Sequence, residues 1–266
     1  EISLYEDSID ILYPTIPEKI WKTMEDVEFP DNITELGRIP MVCEAIKIAK
    51  QEAPDHAIGG WILGPFTMAG QLLELDLLLK GIFKQKDMVE QVMDRITDML
   101  IKVGKAYKDA GCDYMTLREM ATGTDLLSPR TWKKVIQPRV KKILDSWESP
   151  KVLHICGATD LIVPMMNECG ADALSFDIKN NLLETREKVG DDMLLFGNFD
   201  VYELPCKEET TAEEAVEAIK VNIDGTVDAV WPGCDLWPDI KVENMKAIVD
   251  TTREYGKKPS PAVGRT

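Results

Sequence analysis

NECGADALSF, residues 167–176, leaves a helical stretch, passes through a glycine and an aspartate, and enters an apolar strand. Two other segments do the same: DAGCDYMTL (109–117) and NIDGTVDAVW (222–231). A glycine suits the left-handed conformation that closes a helix, and the chain then turns directly into the next strand. Short apolar runs, often β-branched, predict strands at 57–63, 113–118, 152–156, 172–176, 193–197 and 227–231. Helical patterns lie between them. In residues 86–111, Met88, Val92, Ile96, Leu100 and Val103 fall on one face.

Repeated strand and helix units give a parallel sheet with right-handed crossovers, either an open doubly wound sheet or a closed (β/α)8 barrel. No Gly-x-Gly-x-x-Gly or phosphate-loop signature follows any strand, which weakens a nucleotide-binding open sheet. The length of 266 residues suits one domain over 1–266, and a barrel typically takes about 250 residues. The expectation is therefore an α/β fold of the (β/α)8 TIM-barrel type. Six strands fall short of eight. EISLY (1–5) and DILY (10–13) are weak strand candidates, and residues 38–52 read as a helix. Either the N-terminal units are irregular, or the chain lacks the first one or two strand–helix units of a longer pattern.

The 31 Lys and Arg against 47 Asp and Glu give a net charge of -16, which argues against a nucleic-acid partner, because phosphate backbones require a basic face. No apolar run approaches the roughly 20 residues that span a bilayer, and the start, EISLYEDSID, lacks the basic and apolar regions of a secretory signal. The chain reads as cytoplasmic, without a membrane partner. Six cysteines are too sparse for a disulfide scaffold, so each is weighed for burial or metal binding.

VLHICGATD (152–160) holds one of the two histidines. On a strand, His154 and Cys156 point to the same side, at the C-terminal end where α/β enzymes place catalytic groups. Cys234, 78 positions after Cys156 and just past the last strand, returns to the same face and offers a third ligand. Two thiolates and one imidazole select zinc over hard cations, and three protein ligands with a fourth position open define a catalytic zinc site. The competing reading is that His154 and Cys156 fill a buried strand. Cys43, Cys112, Cys169, Cys206 and His56 are assigned no role.

Five segments carry a resemblance over almost the whole chain: WILGPFTMAGQLL (61–73), TGTDLLSPRTWKKVIQPRVKKI (122–143), HICG (154–157), FGNFD (196–200) and PGCDLWPDIKVENMKAIVDTTREYG (232–256). The sequence resembles the uroporphyrinogen decarboxylase-like superfamily and, within it, the zinc-dependent methylcobamide:coenzyme M methyltransferases. That branch is marked by His-x-Cys, a long gap and Cys, which fall here on His154, Cys156 and Cys234. The resemblance implies catalysis by these three zinc ligands, with a methylated corrinoid as donor, carried by a separate corrinoid protein docking over the open barrel face. It implies coenzyme M as the thiol acceptor, in methanogenic-type C1 metabolism.

The family's barrel begins with two units not found in this sequence, so the chain starts some 75 residues into the usual pattern, against the fold's roughly 250-residue minimum. Asp177 stands where the family offers a longer glutamate to zinc, and is the tentative fourth ligand. Substrate-binding candidates are Thr67, Asn198, Glu119 and Gly157. Thr67 lies in the first turn of the helix in GPFTMAG (64–70), whose N–H groups suit an anion such as a sulfonate, although the segment is equally a tight turn. Asn198 can touch the acceptor or the zinc shell, or cap the next helix. Glu119 replaces a frequent aspartate, Val201 a frequent proline, and Gly157 keeps space beside the metal. Competing functions are the same chemistry on another acceptor (homocysteine, or epoxide opening by coenzyme M), porphyrinogen decarboxylation, which has no use for the metal triplet, and a non-catalytic barrel that binds a corrinoid protein.

Overall fold

In the computed structural model, which describes residues 3–4, 14–15, 18–224, 227–236 and 239–256, the predicted strands form one parallel sheet. They are β1 (Gly59–Leu63), β2 (Tyr114–Arg118), β3 (Lys151–Ile155), β4 (Ala173–Phe176), β5 (Leu194–Phe199) and β6 (Ala229–Pro232). Among the helices are α1 (Ile39–Glu52) before β1, α2 (Pro65–Leu72), α3 (Leu75–Lys84) and α4 (Lys86–Asp109) between β1 and β2, and α5 (Gln137–Asp145) before β3. The face of α4 expected to be apolar is buried at Val92, Ile96, Leu100 and Val103.

The aspartate of each glycine-led turn fastens two strands together. Asp113 accepts the Ile58 N–H at 2.7 Å and donates its own N–H to the Ile58 carbonyl at 2.7 Å. Asp172 does the same with Lys151 and Asp228 with Leu195, every bond being 2.8 Å. Each aspartate therefore closes a hydrogen-bonded ring with the base of the preceding strand. Gly111 and Gly170 take φ of +114° and +82°, the conformation that a side chain rarely adopts; Gly225 lies outside the described residues.

The strand order β1-β2-β3-β4-β5-β6 follows the sequence. Every crossover adds its strand to the same edge, whereas a doubly wound sheet reverses direction at a switch point. Sequential winding with one crossover hand curls a sheet toward a barrel. Among the described residues β1 and β6 each have a single neighbour, so these residues supply six of the eight strands of the (β/α)8 pattern. In the weak candidate EISLY the described residues are Ser3–Leu4, paired antiparallel with Pro14–Thr15 in a sheet separate from the main one. DILY lies outside the described residues.

Candidate active site

His154 lies near the end of β3, 3% exposed, and its register partners are Arg118 on β2 and Ser175 on β4. The Ser175 hydroxyl sits 2.9 Å from Nδ1, while Nε2 lies 3.0 Å from Cys156 Sγ. Cys156 Sγ is in turn 3.4 Å from Cys234 Sγ. β3 and β6 are three strand spacings apart, about 14 Å in a flat sheet. Contact between residues at their two ends requires the sheet to curl and the loop after Pro232 to fold inward. Gly233 permits that turn, since a Cβ there would lie 3.0 Å from the Ile178 nitrogen.

Burial, then the Arg118 guanidinium, pushes the His154 pKa down to about 4. The imidazole is neutral at pH 7, with a ring nitrogen lone pair available to a metal. Because two adjacent thiols resist losing both protons, the hydrogen bond between them splits their acidity. Cys156 is raised and Cys234, which receives the bond as a thiolate, is lowered.

Among the described residues no group of three or more His, Cys, Asp or Glu side chains stands ready-spaced around a metal position. The donors instead form a chain of contacts, His154 to Cys156 and Cys156 to Cys234. Tetrahedral zinc sets N···S and S···S separations of about 3.6 and 3.8 Å, so the observed contacts need to open by about half an ångström. Small side-chain rotations provide that. The donor chemistry, two soft sulfurs and a neutral imidazole whose far nitrogen is already held by Ser175, fits zinc.

Beside the cluster lies a cavity of about 320 Å³ lined by Trp61, Tyr114, Arg118, Trp231, His154 and Cys234, among others. Arg118 stacks over Trp61 at 4.9 Å from the ring centroid and pairs with Asp235. Trp231 stacks on Phe196 at 5.3 Å.

The other residues singled out in the sequence are drawn into supporting contacts. Among the described residues Asp177 makes no hydrogen bond to the sulfurs or the imidazole, although its charge acts on His154, Cys156 and Cys234. Its carboxylate accepts the N–H groups of Gly157 and Lys179, each at 3.0 Å. Gly157 takes φ of +83°, and a Cβ there would come within 2.9 Å of the Asp125 carboxylate, so its need is conformational. Asn198 donates to the carbonyls of Asp177 and Asn180 at 3.1 and 3.0 Å, bracing the loop after β4. The first-turn N–H groups of α2, expected to receive an acceptor's anion, instead receive Glu119: Phe66 N–H at 3.0 Å, Thr67 N–H at 2.7 Å and the Thr67 hydroxyl at 2.5 Å. Glu119 and Thr67 are both buried, and neither lines the cavity. Burial raises the Glu119 pKa to about 7 against the pull of these donors.

Sequence reading missed Ser175 and Arg118. A hydroxyl inside the apolar run ALSF and a cation closing the apolar run YMTL were the available signals, and each gains meaning only from its register with His154. Cys112 and Cys169, assigned no role, are buried.

The uroporphyrinogen decarboxylase (URO-D) family profile matches residues 6–255. The chain belongs to the uroporphyrinogen decarboxylase family. Within the URO-D family, it is 34% identical over 238 residues to a methylcobamide:CoM methyltransferase, MtaA, of Methanosarcina barkeri, covering 88% of this chain and 69% of that protein. It is 26% identical to a methylated-thiol:coenzyme M methyltransferase of Methanosarcina mazei, covering 91% and 65%. A solved methyltransferase from Methanosarcina mazei superposes with a TM-score of 0.85 at 30% identity, over 91% of this chain and 72% of that one. It is 24% identical to a uroporphyrinogen decarboxylase of Trichlorobacter lovleyi, over 94% of this chain and 76% of that protein. Among the described residues no helix is long and apolar enough to cross a membrane.

Proposed function

We propose that this URO-D family chain is a methyltransferase that moves a methyl group from a methylated corrinoid to a thiol acceptor, coenzyme M, with His154, Cys156 and Cys234 holding a zinc ion. The observation that carries the reading is the convergence of two cysteines and a neutral histidine at one end of a curled parallel sheet, 3.0 and 3.4 Å apart. Identity to methylcobamide:CoM methyltransferases supports the same substrates.

A bound zinc ion supplies the Lewis acidity that keeps an incoming thiol deprotonated near pH 7, where a free thiol of pKa about 8.5 is mostly protonated. Two thiolates and a neutral imidazole balance a divalent charge. Ser175 fixes the imidazole so that Nε2 faces the sulfurs. Asp177 and Asn198 hold the backbone beside Cys156 in place. The cavity beside Cys234 receives the acceptor. Its sulfur attacks the methyl carbon on cobalt(III), the carbon–cobalt bond breaks, and a thioether and cobalt(I) corrinoid remain. The corrinoid arrives on a separate protein that docks over the end of the sheet bearing His154.

The test is methyl transfer from free methylcobalamin to 2-mercaptoethanesulfonate, followed by the absorbance of cobalt(I). Zinc-dependent turnover, lost in Cys234→Ala, is expected. A well-folded chain that methylates no thiol, or that decarboxylates uroporphyrinogen instead, overturns the reading.

A further inference from the structure

The cavity beside the cysteine pair is built largely of aromatic and small residues, and among its described lining residues one side chain is cationic: Arg118. Arg118 ends β2 directly opposite His154 on β3. Its side chain is 14% exposed, packed over the face of Trp61, and its guanidinium meets the carboxylate of Asp235, the residue after Cys234. Asp235 is 60% exposed. A half-buried cation is thus held between an aromatic wall and a carboxylate that can swing out to water at small cost.

We infer that Arg118 is the specificity-determining residue for the acceptor, binding an anionic group on the thiol's tail after displacing Asp235. This rests on the thiol-methylation reading above. Three considerations lead to it. First, the chain carries a net charge of -16, so an anionic substrate needs a local cation to offset the overall repulsion. Second, a planar guanidinium already facing a carboxylate is matched to bidentate recognition of a carboxylate or sulfonate. Third, neighbouring strands are about 4.8 Å apart, so Arg118 stands one strand spacing from His154. Arg118 and Cys234 line the same cavity, so a thiol at the cysteine pair and an anionic tail at the guanidinium share one chamber. The N–H groups at the start of α2 do not compete for the anion, because Glu119 already occupies them.

The experiment compares 2-mercaptoethanesulfonate with the neutral 2-mercaptoethanol in the zinc-loaded enzyme, alongside calorimetric titration of the thiol-free anion ethanesulfonate. The wild type is expected to favour the anionic thiol in kcat/KM by about tenfold to a hundredfold, the worth of charge-assisted hydrogen bonds. Arg118→Gln removes that preference, chiefly by raising KM for the anionic thiol, and Arg118→Lys restores part of it. Asp235→Asn acts in the opposite direction, lowering KM for the anionic thiol because the internal competitor is gone. Ethanesulfonate binds the wild type and binds Arg118→Gln at least about tenfold more weakly. An anionic-to-neutral preference that is the same in the wild type and Arg118→Gln overturns the inference, as does loss of zinc and of both activities together in Arg118→Gln and Arg118→Lys. If the wild type methylates neither thiol, the methyl-transfer reading has failed, and the ethanesulfonate titration still decides whether Arg118 binds anions.

Discussion

Ser175→Ala tests how the imidazole is held. The hydroxyl lies 2.9 Å from His154 Nδ1, and both residues are buried. An imidazole that carries its proton on Nδ1, bonded to Ser175, keeps the Nε2 lone pair for a metal. Removing the hydroxyl leaves a buried ring nitrogen without that partner, which costs about 1–3 kcal/mol. Where the orienting partner of a metal-bound histidine is lost, metal affinity falls by about 10-fold to 100-fold, or roughly 1.4–2.7 kcal/mol. The assay is zinc competition with a chromophoric chelator at pH 7. Ser175→Ala is expected to bind zinc at least about tenfold more weakly, with Ser175→Thr closer to the wild type. Equal zinc affinity in Ser175→Ala and the wild type would refute the orienting role.

Other expectations follow from single contacts. Glu119 has its folded pKa raised from 4.5 to about 7. Its contribution to stability is therefore full below the unfolded pKa and lost as pH rises through about 7, a change of about 3 kcal/mol. Urea denaturation of Glu119→Gln should lack that slope between the two pH values, and an unchanged slope would contradict the assignment. Gly157→Ala places a side chain at φ +83° and against Asp125, and should lower stability by about 1–3 kcal/mol in the same assay; a value indistinguishable from the wild type would remove the conformational reading. Asp172→Ala strips the acceptor from the Lys151 N–H and the Ser149 hydroxyl at the foot of β3. Its cost should reach about 1.5–3 kcal/mol, while Asp76→Ala, which removes only an exposed pair with Lys80, stays below about 0.5 kcal/mol. Equal effects in the two variants would show that the strand-to-strand ring is not what Asp172 contributes.

The six strands were legible because each is a short apolar run, three of them entered through a glycine and an aspartate, and the observed ends lie within two residues of the expected ones. The reason for the aspartate was not legible. Its clamp on the preceding strand depends on which strand lies alongside, and that is a property of the winding order. His154, Cys156 and Cys234 were found because soft donors at strand ends are a chemical signal that survives without coordinates. Thr67 was placed with the substrate because a helix N-terminus attracts anions, and Glu119 because the resemblance has a frequent aspartate there; in the structure the two meet, Glu119 accepting the Thr67 N–H and hydroxyl. Asn198 similarly spends its amide on two loop carbonyls. Ser175 and Arg118 are ordinary letters in their strands. Only register brings them beside His154.

The most direct measurement is zinc K-edge X-ray absorption on the purified chain, with metal content determined on the same sample. One zinc per chain in an environment of one nitrogen and two sulfur ligands is expected, gaining a third sulfur when 2-mercaptoethanesulfonate is added and losing sulfur in Cys156→Ala or Cys234→Ala. A folded chain that takes up no zinc, or one whose bound zinc shows only nitrogen and oxygen neighbours, would contradict the assignment of His154, Cys156 and Cys234.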